Sequence, residues 1–203
     1  MERIIAYIDG FNLYYGLRAK GWKRYYWFNL RAMCENLLKP DQQLVLTKYF
    51  TARVSQPPDK HKRQSTYIEA LQTLPALQIY FGKYQLNPRQ CRNCGYVDNV
   101  PNEKMTDVNI AVELLVDAFQ DHFDTALLIS ADSDLTAPVK SVLHLFPAKR
   151  IVCAFPLERS SKELVKVSTA HFTIGRGALE RSLLPSDVIK ADGFVLRCPS
   201  SWH

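Results

Sequence analysis

With 203 residues, 47% of them hydrophobic and 23% charged, the chain can bury one sizeable core, and its length favours a single domain with a small appendage. No run approaches the roughly 20 apolar residues of a membrane span, and a strand-like run from Glu2 or Arg3 leaves no room for a signal peptide, so a soluble, cytoplasmic protein without a membrane partner is expected. Five cysteines, three of them isolated (Cys34, Cys153 and Cys198), argue against a disulfide framework, while the net charge of +6 suits either a polyanionic partner or plain solubility.

Ile4-Ile5-Ala6-Tyr7-Ile8 reads as a buried parallel strand and runs straight into Asp9-Gly10-Phe11-Asn12. An aromatic and basic stretch follows, Arg18 to Phe28. Leu30, Met33, Cys34, Leu37 and Leu38 have helical spacing, ended by Lys39-Pro40. Leu44 to Val54 is predicted as a long strand stopped by Pro57-Pro58, then a helix from about Asp59 to Leu74 and a strand from Leu77 to Tyr84. Residues 85–102 read as an irregular cysteine-containing insertion.

Met105 to Phe119 is apolar around most of its circumference, which predicts a largely buried helix. Strand Thr125 to Ile129, helix Leu135 to Leu145, strand Arg150 to Phe155, a helix from about Ser161 and a short strand near His171 complete the series. Strands alternating with helices predict an α/β domain over residues 1–175, its parallel sheet covered on both faces. The extension 176–203, with Pro185, Gly193 and Pro199, is a tail of undecided order.

An open α/β sheet gathers its chemistry at the carboxyl ends of its strands. Asp9 and Asn12 follow the first strand, Asp132 and Asp134 follow the strand at 125–129, and Asp107 opens the long apolar helix. Such carboxylates suit Mg²⁺ or Mn²⁺, which take hard oxygen ligands and activate a water against a phosphodiester; the Asn12 amide would be a neutral ligand or substrate contact. Asp134 could instead only cap a helix, and Asp107 only satisfy a helix dipole. Residues 103–134 hold eight acids against Lys104 alone, so a basic body would surround an acidic pocket. Lys104 is a phosphate contact or a solvated surface lysine.

At these residues the chain resembles the NYN family of PIN-like nucleases, in the branch called LabA-like. The shared elements are the strand ending in Asp9-Gly10-Phe11-Asn12, the entry Lys104-Met105-Thr106-Asp107, Ser130-Ala131-Asp132-Ser133-Asp134 with Pro138-Val139, and the segment Lys62 to Leu71. The resemblance implies a three-layer α/β/α PIN-like domain whose first and fourth strands are neighbours. It also implies metal-dependent ribonuclease activity, with Asp9, Asp107, Asp132 and Asp134 as the acidic set.

Cys91-Arg92-Asn93-Cys94-Gly95 has the spacing of a zinc knuckle, with two ligands to be found elsewhere or shared across a homodimer. A structural Zn²⁺ and no metal at all both stay open. Arg18, Lys20, Lys23 and Arg24 interleave with Trp22, Tyr25, Tyr26 and Trp27, a combination suited to single-stranded or structured RNA, although such aromatics commonly pack in a core. Lys60, Lys62 and Arg63 form a second basic cluster at a helix start. Two functions follow: a Mg²⁺- or Mn²⁺-dependent ribonuclease, or a catalytically weak RNA-binding module on the same fold.

Overall fold

The computed structural model describes residues 1–202, with side chains throughout except at 84–87 and 98–103. In chain order the elements are β1 (Glu2–Asp9), α1 (Gly10–Ala19), α2 (Leu30–Glu35), β2 (Gln42–Thr51), α3 (Pro58–Gln72), β3 (Leu77–Phe81), β4 (Lys83–Gln90) and β5 (Val97–Lys104). They continue with α4 (Thr106–Phe119), β6 (Thr125–Ile129), α5 (Thr136–Leu145), β7 (Arg150–Phe155), α6 (Lys162–Val167), β8 (Ala170–Thr173), α7 (Arg176–Glu180), β9 (Asp187–Ile189) and β10 (Val195–Arg197). Short 3₁₀ turns lie at Lys23–Tyr26, Ser133–Leu135 and Ser200–Trp202.

The six-stranded sheet has the order β3-β2-β1-β6-β7-β8, and every pairing in it is parallel. β1 and β6 are apolar on both faces because helices cover both sides, and all five residues of β6 are buried. Ile4, Ala6 and Ile8 point into one core with Leu13, Leu17, Tyr67 and Leu71, under α1, α2 and α3. Ile5 and Tyr7 point into the other, with Ile110, Leu114, Val139 and Leu164, under α4, α5 and α6. The chain thus winds away from β1 in both directions, which leaves a crevice between the carboxyl ends of β1 and β6. The expected three-layer α/β/α architecture and the adjacency of the strands at 2–9 and 125–129 are both present.

The second core encloses charge. Lys48, on β2, is buried and pairs with Asp117 (2.6 Å) and Glu113 (2.7 Å) of α4, while the Tyr7 hydroxyl donates to Asp117 (2.5 Å). Burial alone would lower the Lys48 pKa, but its bonds to the two carboxylates outweigh this and hold it above its ordinary value. The ammonium therefore stays charged.

Elsewhere the structure departs from the expectations. α4 is not largely buried: Val108, Val112, Val116 and Phe119 form an exposed stripe, with Phe119 80% accessible, because of its apolar side chains only Ile110, Leu114 and Ala118 are fully buried. Residues 85–90 and 97–102 belong to an antiparallel β4–β5 hairpin, with the cysteine-containing turn between its strands. Residues 176–202 include α7 and a β9–β10 hairpin, and their Leu179, Leu184, Val188 and Leu196 enter the first core. Among the described residues no helix is long and apolar enough to cross a membrane. Removing one partner of a buried ion pair leaves an uncompensated charge, so Lys48→Ala is expected to destabilise the fold by about 3–5 kcal/mol, read by urea unfolding.

Candidate active site

α1 begins on the residue after β1 ends, and that junction positions the first acid. The Asp9 carboxylate caps α1, Oδ1 accepting the Asn12 backbone N–H (3.0 Å) and Oδ2 the Asn12 side-chain amide (2.7 Å). Gly10 allows so tight a junction: a Cβ there would lie 2.7 Å from the Tyr49 ring and 2.8 Å from the Phe50 carbonyl oxygen. Because Ile8 of β1 stands opposite Ile129 of β6, the next residue on each strand meets its neighbour, and the Ser130 hydroxyl donates to Asp9 Oδ2 (2.9 Å).

Ser130 then extends the linkage. Its oxygen accepts the Asp132 backbone N–H (3.0 Å), and Asp132 Oδ1 accepts the Asp134 N–H (2.9 Å). The capping group of this turn is thus Asp132, whereas Asp134 is exposed and contributes its backbone N–H. Asn12 Oδ1 accepts from Arg159 Nη1 (3.0 Å) and from the Ala131 N–H (3.4 Å), so the Asn12 amide spans α1, the end of β6 and the segment after β7.

Asp9 is 2% exposed. Burial pushes its pKa up, the bonds from Asn12 and Ser130 pull it down, and the nearby charge of Asp132 pushes it up again, leaving it above the ordinary value. Asp107 is half-buried in the first turn of α4, the helix that packs against the Ser133–Leu135 turn, and Met105 before it takes a left-handed φ of 78°.

Among the described residues no three of His, Cys, Asp and Glu gather closely enough to hold a metal ion. The pair Asp9 and Asp132 nonetheless has the character a divalent cation needs. Both are hard oxygen donors whose charges oppose one another, and Asp132 Oδ2 accepts no hydrogen bond from the described residues. Magnesium is commonly held by only one or two carboxylates with water and phosphate completing its shell.

The eight acids of residues 103–134 are not one pocket. Glu113 and Asp117 face Lys48 inside the second core, and Asp121 and Asp124 pair with Arg3 and Lys149 at the opposite end of the sheet. What remains described near the carboxyl ends is Asp107, Asp132 and Asp134, with Asp9 from β1.

The basic and aromatic residues sort into three groups. Lys20 pairs with Glu158 (2.5 Å) and Arg24 with Glu180 (3.1 Å), while Trp22 is half-buried, edge-on to Tyr25 (5.4 Å) and beneath Arg176 (5.4 Å). Tyr25 and Trp27 are core residues. Lys62 and Lys104 are exposed and lie apart from the cavity, whereas Arg18, Lys23 and Arg63 line it. This cavity, of about 900 Å³, opens beside Gly10 and Phe11.

Cys91 and Cys94 are exposed at the tip of the β4–β5 hairpin. The Cys91 N–H bonds to the Tyr96 carbonyl (2.7 Å) and the Gly95 N–H to the Cys91 carbonyl (3.0 Å). Hydrogen bonds from Cys94 and Asn93 lower the Cys91 thiol pKa. The turn thus offers two sulfur ligands side by side.

Ser130 and Arg159 are contributors that sequence reasoning missed. Ser130 carried a signal, since it follows a buried strand two residues before an acid. Arg159 carried none, because 147 residues separate it from the amide it touches.

The family model for the NYN domain matches residues 3–179. Over 99% of its length the chain is 27% identical to "6-hydroxy-3-succinoylpyridine 3-monooxygenase HspA" of Pseudomonas putida, 75% of which is covered. A solved structure of a protein of unknown function from Vibrio parahaemolyticus superposes with a TM-score of 0.57 at 18% identity, covering 90% of this chain and 96% of that one. That likeness speaks for the fold alone. With the family match running from β1 into α7 and taking in the Asp9, Ser130 and Asp132 linkage, the chain belongs to the NYN domain family, on a PIN-like nuclease fold.

Proposed function

We propose that this protein is a ribonuclease that hydrolyses RNA phosphodiester bonds by water attack at the Asp9 and Asp132 pair, with Mg²⁺ or Mn²⁺ as cofactor. The observation that carries the reading is the linkage of a buried carboxylate on β1, through Ser130, to a second acid on the turn after β6, beside a cavity lined with cations. A cation held by Asp9 and Asp132 would supply neutralising charge to the phosphate and acidity to a bound water. Asp134 and Asp107, on the adjoining turn and helix, would reach that shell through water.

The residues of the chain divide the remaining work. Ser130 fixes the Asp9 oxygens and ties them to the Asp132 backbone. Asn12 has its amide donor on Asp9 and its oxygen on Arg159, so it acts as a positioning residue between the acid and a guanidinium. Arg159 uses one nitrogen on Asn12, and its other donors suit the non-bridging oxygens of a phosphodiester. No histidine lies among these hydrogen-bonded groups, so proton removal from water falls to the carboxylates.

A second reading, an RNA-binding module without turnover, draws on the three donors that already occupy Asp9. A small aromatic acid, the class of compound in the name of the Pseudomonas relative, is the competing ligand for the cavity beside Asp9.

Labelled RNA incubated with Mn²⁺ or Mg²⁺ should be cut, EDTA should stop the reaction, and Asp132→Asn should lower kcat/KM by roughly a hundredfold, equivalent to about 2.7 kcal/mol. Cutting that survives both EDTA and the substitution would exclude the proposed chemistry, and retention of RNA without cutting under either metal would select the binding module.

The raised pKa of Asp9 has a thermodynamic counterpart. Because the folded protein holds that proton more tightly than the unfolded chain, the carboxyl favours folding below the ordinary Asp range, and this contribution is lost as pH rises through the raised value. In a ¹³C NMR titration the Asp9 carboxyl should titrate above other aspartates, and Asp132→Asn should move it downward. A midpoint at or below the ordinary value would contradict the assignment.

A further inference from the structure

The cavity beside Asp9 is lined along one side by α1, through Phe11, Tyr14 and Arg18, and along another by α3, through Lys60 and Arg63, with Trp202 closing it from the C-terminal segment. Its rings already form a connected group: Tyr14 and Tyr26 lie 5.1 Å apart, and Tyr26 meets Trp202 at 5.7 Å with the planes near perpendicular. Among the described residues that line it, no acid balances its cations. Among the described residues Arg18, Lys60 and Arg63 make no salt bridge, although most other arginines that touch a neighbour here do so through a carboxylate.

Crowding is felt at Lys60. Burial lowers its pKa, and the charges of Arg18 and Arg63 lower it further. Its ammonium stands 5.9 Å from the Tyr14 ring centre, so ring and cation share one wall. Cations crowded around Lys60 beside partly exposed rings are a costly arrangement without an anion, and the ligand that satisfies both features carries a ring and a negative group.

We propose that this cavity binds one nucleotide unit, its base against Tyr14, Tyr26 and Trp202 and its phosphate on Arg18, Lys60 and Arg63. The proposal rests on the ribonuclease reading for the identity of the polymer, and deepens it by assigning the nucleotide next to the bond that is cut. Gly10 and Phe11 of the cavity wall directly follow Asp9, and the charge of Asp9 reaches Tyr49 on the same wall. A nucleotide seated here leaves its neighbouring phosphodiester at the acidic pair. Its free source is a nucleoside monophosphate, and its polymeric source is single-stranded RNA.

The test is calorimetric titration of the full chain in EDTA, so that binding is read without cleavage, using adenosine monophosphate, adenosine, inorganic phosphate, a short oligoadenylate and a pyridine carboxylate. The monophosphate and the oligonucleotide should bind, with adenosine and phosphate each at least about tenfold weaker, since each lacks one of the two features. Lys60→Ala combined with Arg63→Ala should weaken both ligands about tenfold or more and flatten the salt dependence. Trp202→Ala should weaken them about five- to a hundredfold through lost stacking. Lys166→Ala, on the exposed side of α6, should change nothing, and melting curves should show each variant folded.

Phosphate binding as tightly as the monophosphate, unchanged affinity in the Lys60 and Arg63 double variant, or preference for the pyridine carboxylate over every nucleotide would overturn the assignment. Oligonucleotide binding without the monophosphate would support the polymeric source, and binding of both the free one as well. RNA cut normally by the double variant at unaltered KM would remove the cavity and leave the nuclease standing. Monophosphate binding by a wild-type protein that never cuts RNA would do the reverse.

Discussion

A single carboxylate, that of Asp9, holds the crevice together. It is the last residue of the central strand, the cap of the first helix and the acceptor for a hydroxyl from the neighbouring strand, and three donors converge on it. Buried carboxylates are costly unless hydrogen-bonded, so the arrangement around it is constrained from every side. α1 must start at once, Gly10 must lack a side chain, and β1 and β6 must end level for Ser130 to arrive. The same bonds fix Asn12, and through it Arg159, so the position of a distant arginine is set by the local needs of one buried acid.

Charge is distributed along the strand axis in a way that composition alone conceals. At the amino ends of β1 and β6, Asp121 and Asp124 are matched by Arg3 and Lys149, and Arg3 holds the Asp124 pKa down to about 2. Beneath the sheet, Lys48 pairs with both Asp117 and Glu113. At the carboxyl ends like charges face one another: acids at Asp9 and Asp132, and cations at Arg18, Lys60 and Arg63. Charge of both signs, side by side, is what a site for a phosphate and its counter-cation needs.

The sheet was legible in the sequence because buried parallel strands are continuous apolar runs, and residues 4–8 and 125–129 are bounded by acids that fix their ends. The positions of Asp9, Asn12, Asp132 and Asp134 were legible for the same reason. Four features were hidden. α1 is rich in aromatics and glycine, so its first turns carried no helical signal, and its last residues were read as the start of the aromatic and basic stretch from Arg18. α4 is apolar around most of its circumference, and its pattern does not single out the side a sheet will take. The β4–β5 hairpin holds Pro88 and Pro101, which argue against strands, yet neither ends its ladder. The elements after residue 175 are too short to form without the core they dock on, and Arg159 reaches the site from a segment with no periodic signal at all.

The two cores differ in one further respect. The protein's three tryptophans, Trp22, Trp27 and Trp202, all belong to the layer formed by α1, α2, α3 and the C-terminal segment. The opposite layer contains none and relies on Tyr7, Phe50, Phe123 and Phe155 for its large buried rings. Indole emission is therefore an optical reporter for half the molecule. Loosening of α4, α5 or α6 would leave that light nearly unchanged, and a partly opened state of that side would pass for native in a fluorescence trace while amide exchange revealed it.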